Sequence, residues 1–285
     1  MTTVSSHRIG VFDSGVGGLT VLRQLYRQLP QESILYFGDT KRLPYGIRTA
    51  EEILQYVREI LTWMSQEQVK MVIMACNTSS ALALEQVRLE YDFPILGLIH
   101  PGAKSAVKVG KRIGVISTVA TASSNAYRNA IQEIDPRVQV WQMGCPEFVP
   151  LIEQNLIHDP YTTQVAKEYL QPLLNNKIDT LVYGCTHYPH LEGILKELLP
   201  SRVKLVDPAQ AVARATMKEL EILGLRNQGE ALPTRFCISG DDGEDFASAS
   251  HRWLGFAPVV EKIYLSPVLE VVNHRQEIYA NSLIA

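Results

Sequence analysis

Apolar, β-branched runs recur along the chain and alternate with stretches in which apolar residues return every three or four positions. The runs fall near 8–12, 34–38, 69–75, 93–99, 112–117, 137–143, 180–184, 203–206, 235–239 and 259–265. A continuous apolar run of this length suits a strand buried on both faces, and helical spacing between such runs predicts parallel sheets covered by helices. The expected fold class is therefore α/β, doubly wound.

Two echoes divide the pattern in half. Ile9-Gly10-Val11-Phe12-Asp13-Ser14 resembles Ile113-Gly114-Val115-Ile116-Ser117-Thr118, 104 residues later. Met74-Ala75-Cys76-Asn77-Thr78 resembles Tyr183-Gly184-Cys185-Thr186-His187, and the two cysteines are 109 residues apart. In each pair a cysteine follows an apolar run and precedes helical spacing, so it sits at a strand-to-helix turn, where open α/β sheets bind ligands. The expected architecture is two similar parallel-sheet domains, flavodoxin-like or Rossmann-like, related by a pseudo-twofold axis with the active site between them. The break falls at Ile99-His100-Pro101-Gly102. Asp207-Pro208 marks a helix start, an N-cap carboxylate with proline at the first helical position, after which the chain crosses back. The expected division is 1–99 plus 208–267 for the first domain and 100–207 for the second. A weakly patterned tail covers 268–285.

Composition narrows the partners. A net charge of −3 over 285 residues, with no Lys/Arg-rich run, argues against nucleic acid and for a small-molecule substrate. Met1 to Arg8 lacks the layout of a secretory signal, and no stretch reaches the roughly 18 apolar residues of a membrane span. A soluble cytoplasmic protein is expected. The cysteines at 76, 145, 185 and 237 show no C-x-x-C clustering, so neither a structural zinc nor a disulfide framework is expected.

The thiolate is the reactive form of cysteine, and a helix N-terminus favours it. Cys76 and Cys185 are both placed for that effect. A lone buried cysteine is commonly a small hydrophobe; two in matched contexts are better read as chemistry. Cys145, before Pro146, and Cys237, within an apolar run, are read as structural. Asp13-Ser14-Gly15-Val16-Gly17-Gly18 follows a strand and opens a helix, with glycines that let backbone N–H groups approach an anion. An acid at its mouth disfavours pyrophosphate, so a carboxylate- or ammonium-bearing ligand fits better. Gly38 to Gly46, through Pro44 and Tyr45, is turn-rich and reads in isolation equally as an ordinary loop. Cys185, His187 and His190 lack a fourth ligand and are not read as a metal site. His187 is instead an acid/base partner or a substrate contact. Glu153, on an otherwise apolar stretch, reads from the residues alone as a solvated helix face.

One thiol on each side of a pocket suits a reaction that needs a base on one face of a carbon and an acid on the other, which is stereoinversion. In this the chain resembles the cofactor-independent, two-cysteine glutamate racemases of the aspartate/glutamate racemase superfamily. The resemblance runs from about Ile9 to about Leu254. It is carried by Phe12 to Gly18, Tyr36-Phe37-Gly38-Asp39, Pro44-Tyr45-Gly46, Ala75-Cys76-Asn77-Thr78, Gly184 to Pro189 and Val206-Asp207-Pro208. It implies Cys76 and Cys185 as proton donor and acceptor, the first acting on D- and the second on L-glutamate. It implies substrate contacts from Asp13, Ser14, Tyr45, Gly46, Asn77, Thr78, Thr186 and His187. Asp13 would support the first thiol, with Glu153 and His187 supporting the second. It also implies no cofactor, neither pyridoxal phosphate nor metal, and D-glutamate for peptidoglycan synthesis.

Aspartate, hydantoin or arylmalonate substrates would need the same two thiols. A non-catalytic binding protein on this scaffold could dispense with either, and a cysteine hydrolase would leave the second unexplained. The chain leaves oligomeric state open, a homodimer included.

Overall fold

A computed structural model describes residues 4–268, in ten strands forming two parallel sheets. The strands are β1 (Ile9–Asp13), β2 (Ile34–Gly38), β3 (Met71–Met74), β4 (Ile95–Gly97), β5 (Arg112–Ser117), β6 (Gln139–Gly144), β7 (Thr180–Gly184), β8 (Lys204–Val206), β9 (Arg235–Ile238) and β10 (Val260–Lys262). Each falls within or against an apolar run read from the sequence. The paired cores of β3, β4 and β10 are shorter than their runs. Residues flanking the core can still pair irregularly, as Ala75 N–H does with the Phe12 carbonyl at 2.7 Å.

The first sheet has the order β10-β9-β2-β1-β3-β4 and the second β6-β5-β7-β8. The second therefore repeats the winding of β2-β1-β3-β4, the arrangement the two sequence echoes predict. Ile9 stands opposite Ile34 and Met71, and Ile113 opposite Val140 and Thr180. β1, β2, β3 and β7 are buried along their whole length, which is why they read as unbroken apolar runs.

Residues 99–102, where the domain break is expected, begin the helix Ile99–Val109. Its buried residues Ile99, Ala103 and Ala106 supply an apolar stripe, and the helix packs against a second one, Pro208–Ile222. These two helices carry the chain into the second sheet and back. The return starts as expected, with Asp207 Oδ1 accepting from Ala209 N–H at 2.9 Å. One apolar core runs from Leu22 and Tyr36 through Leu98 and Val212 to Ile116 and Tyr183, uniting the two halves. Each such aliphatic burial is worth about 1.5–3 kcal/mol. Among the described residues no helix is long and apolar enough to cross a membrane. The tail from 268 lies, apart from Val268, outside the described residues.

Candidate active site

The site lies at the carboxyl ends of β1, β3, β5 and β7, where the strand-end loops of the two sheets meet. After β1, Asp13 is almost fully buried, and Gly15 N–H donates to its Oδ1 at 2.8 Å. Burial pushes the Asp13 carboxyl above its ordinary range, opposed by the charge of His187 and by the Gly15 and Gly18 N–H groups. The glycine-rich turn thus spends these two donors on its own carboxylate rather than on an external anion, contrary to the sequence expectation. Gly17 has a different function. A Cβ there would lie 2.5 Å from Cε1 and Nδ1 of His187, so the missing side chain is what admits the imidazole.

Cys76 is the N-cap of the helix Asn77–Leu82 and is 6% exposed. The expected lowering of its pKa does not occur. Burial, reinforced by the Asp13 charge, pushes the thiol up to about 12, outweighing hydrogen bonding from Ser79. A six-residue helix is a weak dipole, and desolvation of a fully enclosed thiolate exceeds it. The neighbouring polar residues tie this turn to the opposite half: Tyr127 donates to Asn77 Oδ1 at 2.7 Å, and the Thr78 hydroxyl lies 3.0 Å from that of Thr118. The loop after β2 folds over the same space in a short turn, Tyr45–Ile47. Tyr45 donates its hydroxyl to Asp39, and a Cβ on Gly46 would come within 2.9 Å of Thr118 Cβ, so glycine lets the loop close against that residue.

Cys185 follows β7 but does not run straight into an α-helix. A 3-10 turn, Tyr188–Leu191, intervenes before the helix Glu192–Leu198. Pro189 suits the first positions of such a turn. The Cys185 sulfur lies 3.8 Å from His187 Nδ1, and His187 Nε2 lies 3.0 Å from Glu153 Oε1. Burial alone would lower the His187 pKa, but hydrogen bonding and charge from Cys185 and Glu153 reverse this and raise it to about 10. His187 is therefore held as a cation against the second sulfur, where negative charge forms when that thiol gives up its proton.

One cavity of about 80 Å³ is bordered by Asp13, Ser14, Tyr45, Gly46, Cys76, Asn77, Thr78, Cys185, Thr186 and His187. Every site residue taken from the sequence borders it except Glu153, which stands behind His187. Larger hollows elsewhere contain neither cysteine. Cys145, read as structural, also borders the cavity, because Pro146 and the helix Phe148–Glu153 turn the chain back over it; burial pushes its thiol up as well. Cys237 stays in the core. Sequence reasoning missed Thr118, Tyr127 and Gly17. Thr118 could have been found, since it is the echo of Ser14; Tyr127 sits on a helix with no motif. Among the described residues no group of three or more His, Cys, Asp or Glu side chains is arranged to hold a metal ion. His190 instead packs its ring 3.8 Å from that of Trp253.

The sequence profile of the Asp/Glu/Hydantoin racemase family matches residues 9–216. The chain belongs to this family. Among its members, the glutamate racemase of Microcystis aeruginosa is 72% identical over 258 residues, 90% of this chain and 91% of that one. The glutamate racemase of Rippkaea orientalis is 64% identical over 278 residues, 98% of this chain and 99% of its own. A glutamate racemase isoform of Bacillus anthracis superposes with a TM-score of 0.89 at 40% identity, covering 93% of this chain and 99% of that one. These comparisons support the α/β fold, which a Picrophilus torridus aspartate racemase shares more loosely, at 18% identity and a TM-score of 0.54.

Proposed function

We propose that this chain is an isomerase that interconverts L- and D-glutamate without a cofactor, by two-base proton transfer between Cys76 and Cys185. The observation that carries the reading is a single cavity bordered by both cysteines, one at a strand end of each repeated sheet. The high identity to glutamate racemases over nine-tenths of the chain supports glutamate over aspartate or hydantoin.

Stereoinversion at an α-carbon needs a base on one face and an acid on the other. With Cys185 as thiolate, its sulfur takes the α-proton of L-glutamate and the electron pair stays on the α-carbon. Cys76, a thiol at neutral pH by virtue of its burial, gives its proton to the opposite face, forming D-glutamate. The charges on the sulfurs are then exchanged, and proton exchange with solvent resets them or the reverse reaction does. His187, cationic between Cys185 and Glu153, favours negative charge on the second sulfur, which supports this polarity. Asp13 beside Cys76 favours the protonated thiol. Ser14, Asn77, Thr78 and Thr186, with the backbone of Tyr45 and Gly46, supply donors for the substrate carboxylates and acceptors for its ammonium group.

The division into domains 1–99 with 208–267 and 100–207, a cytoplasmic location and a supply of D-glutamate to peptidoglycan synthesis belong to the same proposal. The test is incubation of the purified protein with L-glutamate, no cofactor added, followed by chiral analysis. Formation of D-glutamate to an equal mixture is expected. Unchanged L-glutamate, or faster racemisation of aspartate or a hydantoin, would overturn the assignment.

A further inference from the structure

The helix Gly243–Leu254 follows β9, so it belongs to the segment that completes the first sheet, yet its last turn reaches the His187–Glu153 pair of the second. Trp253, 4% exposed, presents its ring to two imidazoles: His187 edge-on at 5.3 Å and 85°, and His190 at 3.8 Å and 61°. Its neighbour Arg252 donates to the Glu153 carbonyl at 3.5 Å. On the other side of the imidazole stands Gly17, where a Cβ would approach within 2.5 Å. The His187 ring is thus enclosed by Trp253, the Gly17 turn, Cys185 and Glu153.

We propose that Trp253 is a positioning residue for the second thiol: its indole fixes the plane of His187, so that Nδ1 meets the Cys185 sulfur while Nε2 meets Glu153. This inference rests on the two-thiol reading above. An imidazole has one orientation that satisfies both ring nitrogens, and a flat aromatic wall restricts rotation about the side-chain bonds in a way that an aliphatic group of lower rigidity does not. The wall comes from the returning segment, so the second half acquires a correctly oriented His187 only when the first half is complete beside it.

The test compares Trp253→Leu and Trp253→Phe with the wild-type chain, measuring kcat, KM and the α-deuterium isotope effect in both directions. Loss of orientation selectively slows the transfer between Cys185 and the α-carbon. In Trp253→Leu, kcat should fall at least about tenfold, the scale on which misplacement of a reacting group acts, with KM changed less than about twofold. The isotope effect should rise for the enantiomer that Cys185 deprotonates. It should fall for the other, whose turnover becomes limited by proton delivery from Cys185. Trp253→Phe, which keeps an aromatic wall and folds with a smaller volume change, should recover most of kcat and return both isotope effects toward the wild-type values. Isotope effects that shift equally in both directions, or a kcat loss accompanied by a matching rise in KM, would overturn the positioning role. If Trp253→Leu does not fold, Trp253→Met, which also lacks the flat wall, takes its place with the same readouts: an unequal shift for the two enantiomers supports the role, and wild-type isotope effects with lowered stability overturn it. Wild-type protein inactive on glutamate would overturn the two-thiol reading itself, a result distinguishable from any of these.

Discussion

Tyr127 donates its hydroxyl proton to Oδ1 of Asn77 at 2.7 Å, across the junction between the two halves. The bond fixes which end of the buried amide faces Tyr127, leaving its NH₂ group to be offered to the cavity beside Cys76. Tyr127→Phe should therefore weaken both fold and substrate binding. The loss of a net hydrogen bond, together with an unsatisfied buried oxygen, should cost about 1–3 kcal/mol by denaturant unfolding. KM for glutamate should rise about fivefold, corresponding to about 1 kcal/mol, with kcat less affected. An unchanged KM would show that Asn77 does not need this anchor.

Replacing either thiol should stop racemisation, since one must be deprotonated while the other is protonated. Cys76→Ala and Cys185→Ala should each lower the rate by at least about 10²-fold, the scale of a lost acid or base, as followed by circular dichroism of glutamate. In D₂O the wild-type enzyme should place deuterium on newly formed D-glutamate before it accumulates in residual L-glutamate. Mass spectrometry of the separated enantiomers at low conversion checks this; undeuterated product would indicate one base serving both faces.

Gly17→Ala should damage the site out of proportion to one methyl group. Its Cβ would lie 2.5 Å from the His187 ring and 2.6 Å from Thr186 Oγ1. Because Thr186 and His187 are both buried, neither can swing clear, and the strain should cost about 1–3 kcal/mol of stability. Racemisation should fall by at least about tenfold as His187 loses its alignment. A crystal structure of the variant with an undisturbed imidazole would refute this account.

The ionisation of His187 sets a pH window for stability. Its pKa is raised from an ordinary 6.5 to about 10, so the folded state binds the proton more tightly than the unfolded chain. That contribution is fully present below about pH 6.5 and is lost as pH rises through about 10. The stability difference between wild type and His187→Gln, measured by chemical denaturation, should therefore shrink across that interval. Comparing the two cancels the effect of Cys76, whose raised pKa lowers stability in the same direction once the unfolded thiol ionises above about 9. A difference independent of pH would remove the charge from His187.

The parts legible in the sequence were those set by periodicity and by local repetition. The strands β1, β2, β3 and β7 stood out because they are buried along their whole length and apolar to match, and the two cysteine turns stood out because each repeats the other. Less legible was anything decided by partners distant in sequence. Glu153 reads as a surface acid until His187, 34 residues later, is seen against it. Cys145 reads as filler because nothing local says that the chain doubles back over the cavity. The thiol of Cys76 misleads in sign, since a strand-to-helix turn is visible in the sequence whereas complete desolvation is not. The helix that starts at 99–102 was not legible either, because proline and glycine in its first turn mask the helical pattern.

Because β2 pairs with β1 on one side and β9 on the other, the first sheet is finished by residues made long after its centre. At a ribosome, the edge carrying Leu35, Tyr36 and Phe37 waits for Arg235–Ile238, roughly 200 residues later, or about 10–40 s at ordinary elongation rates. Throughout that interval the nascent chain holds an unpaired apolar strand edge of the kind that recruits other chains. The late-arriving strand thus leaves the first sheet with an edge awaiting its partner during synthesis, an exposure that spares the second, whose four strands are translated without interruption.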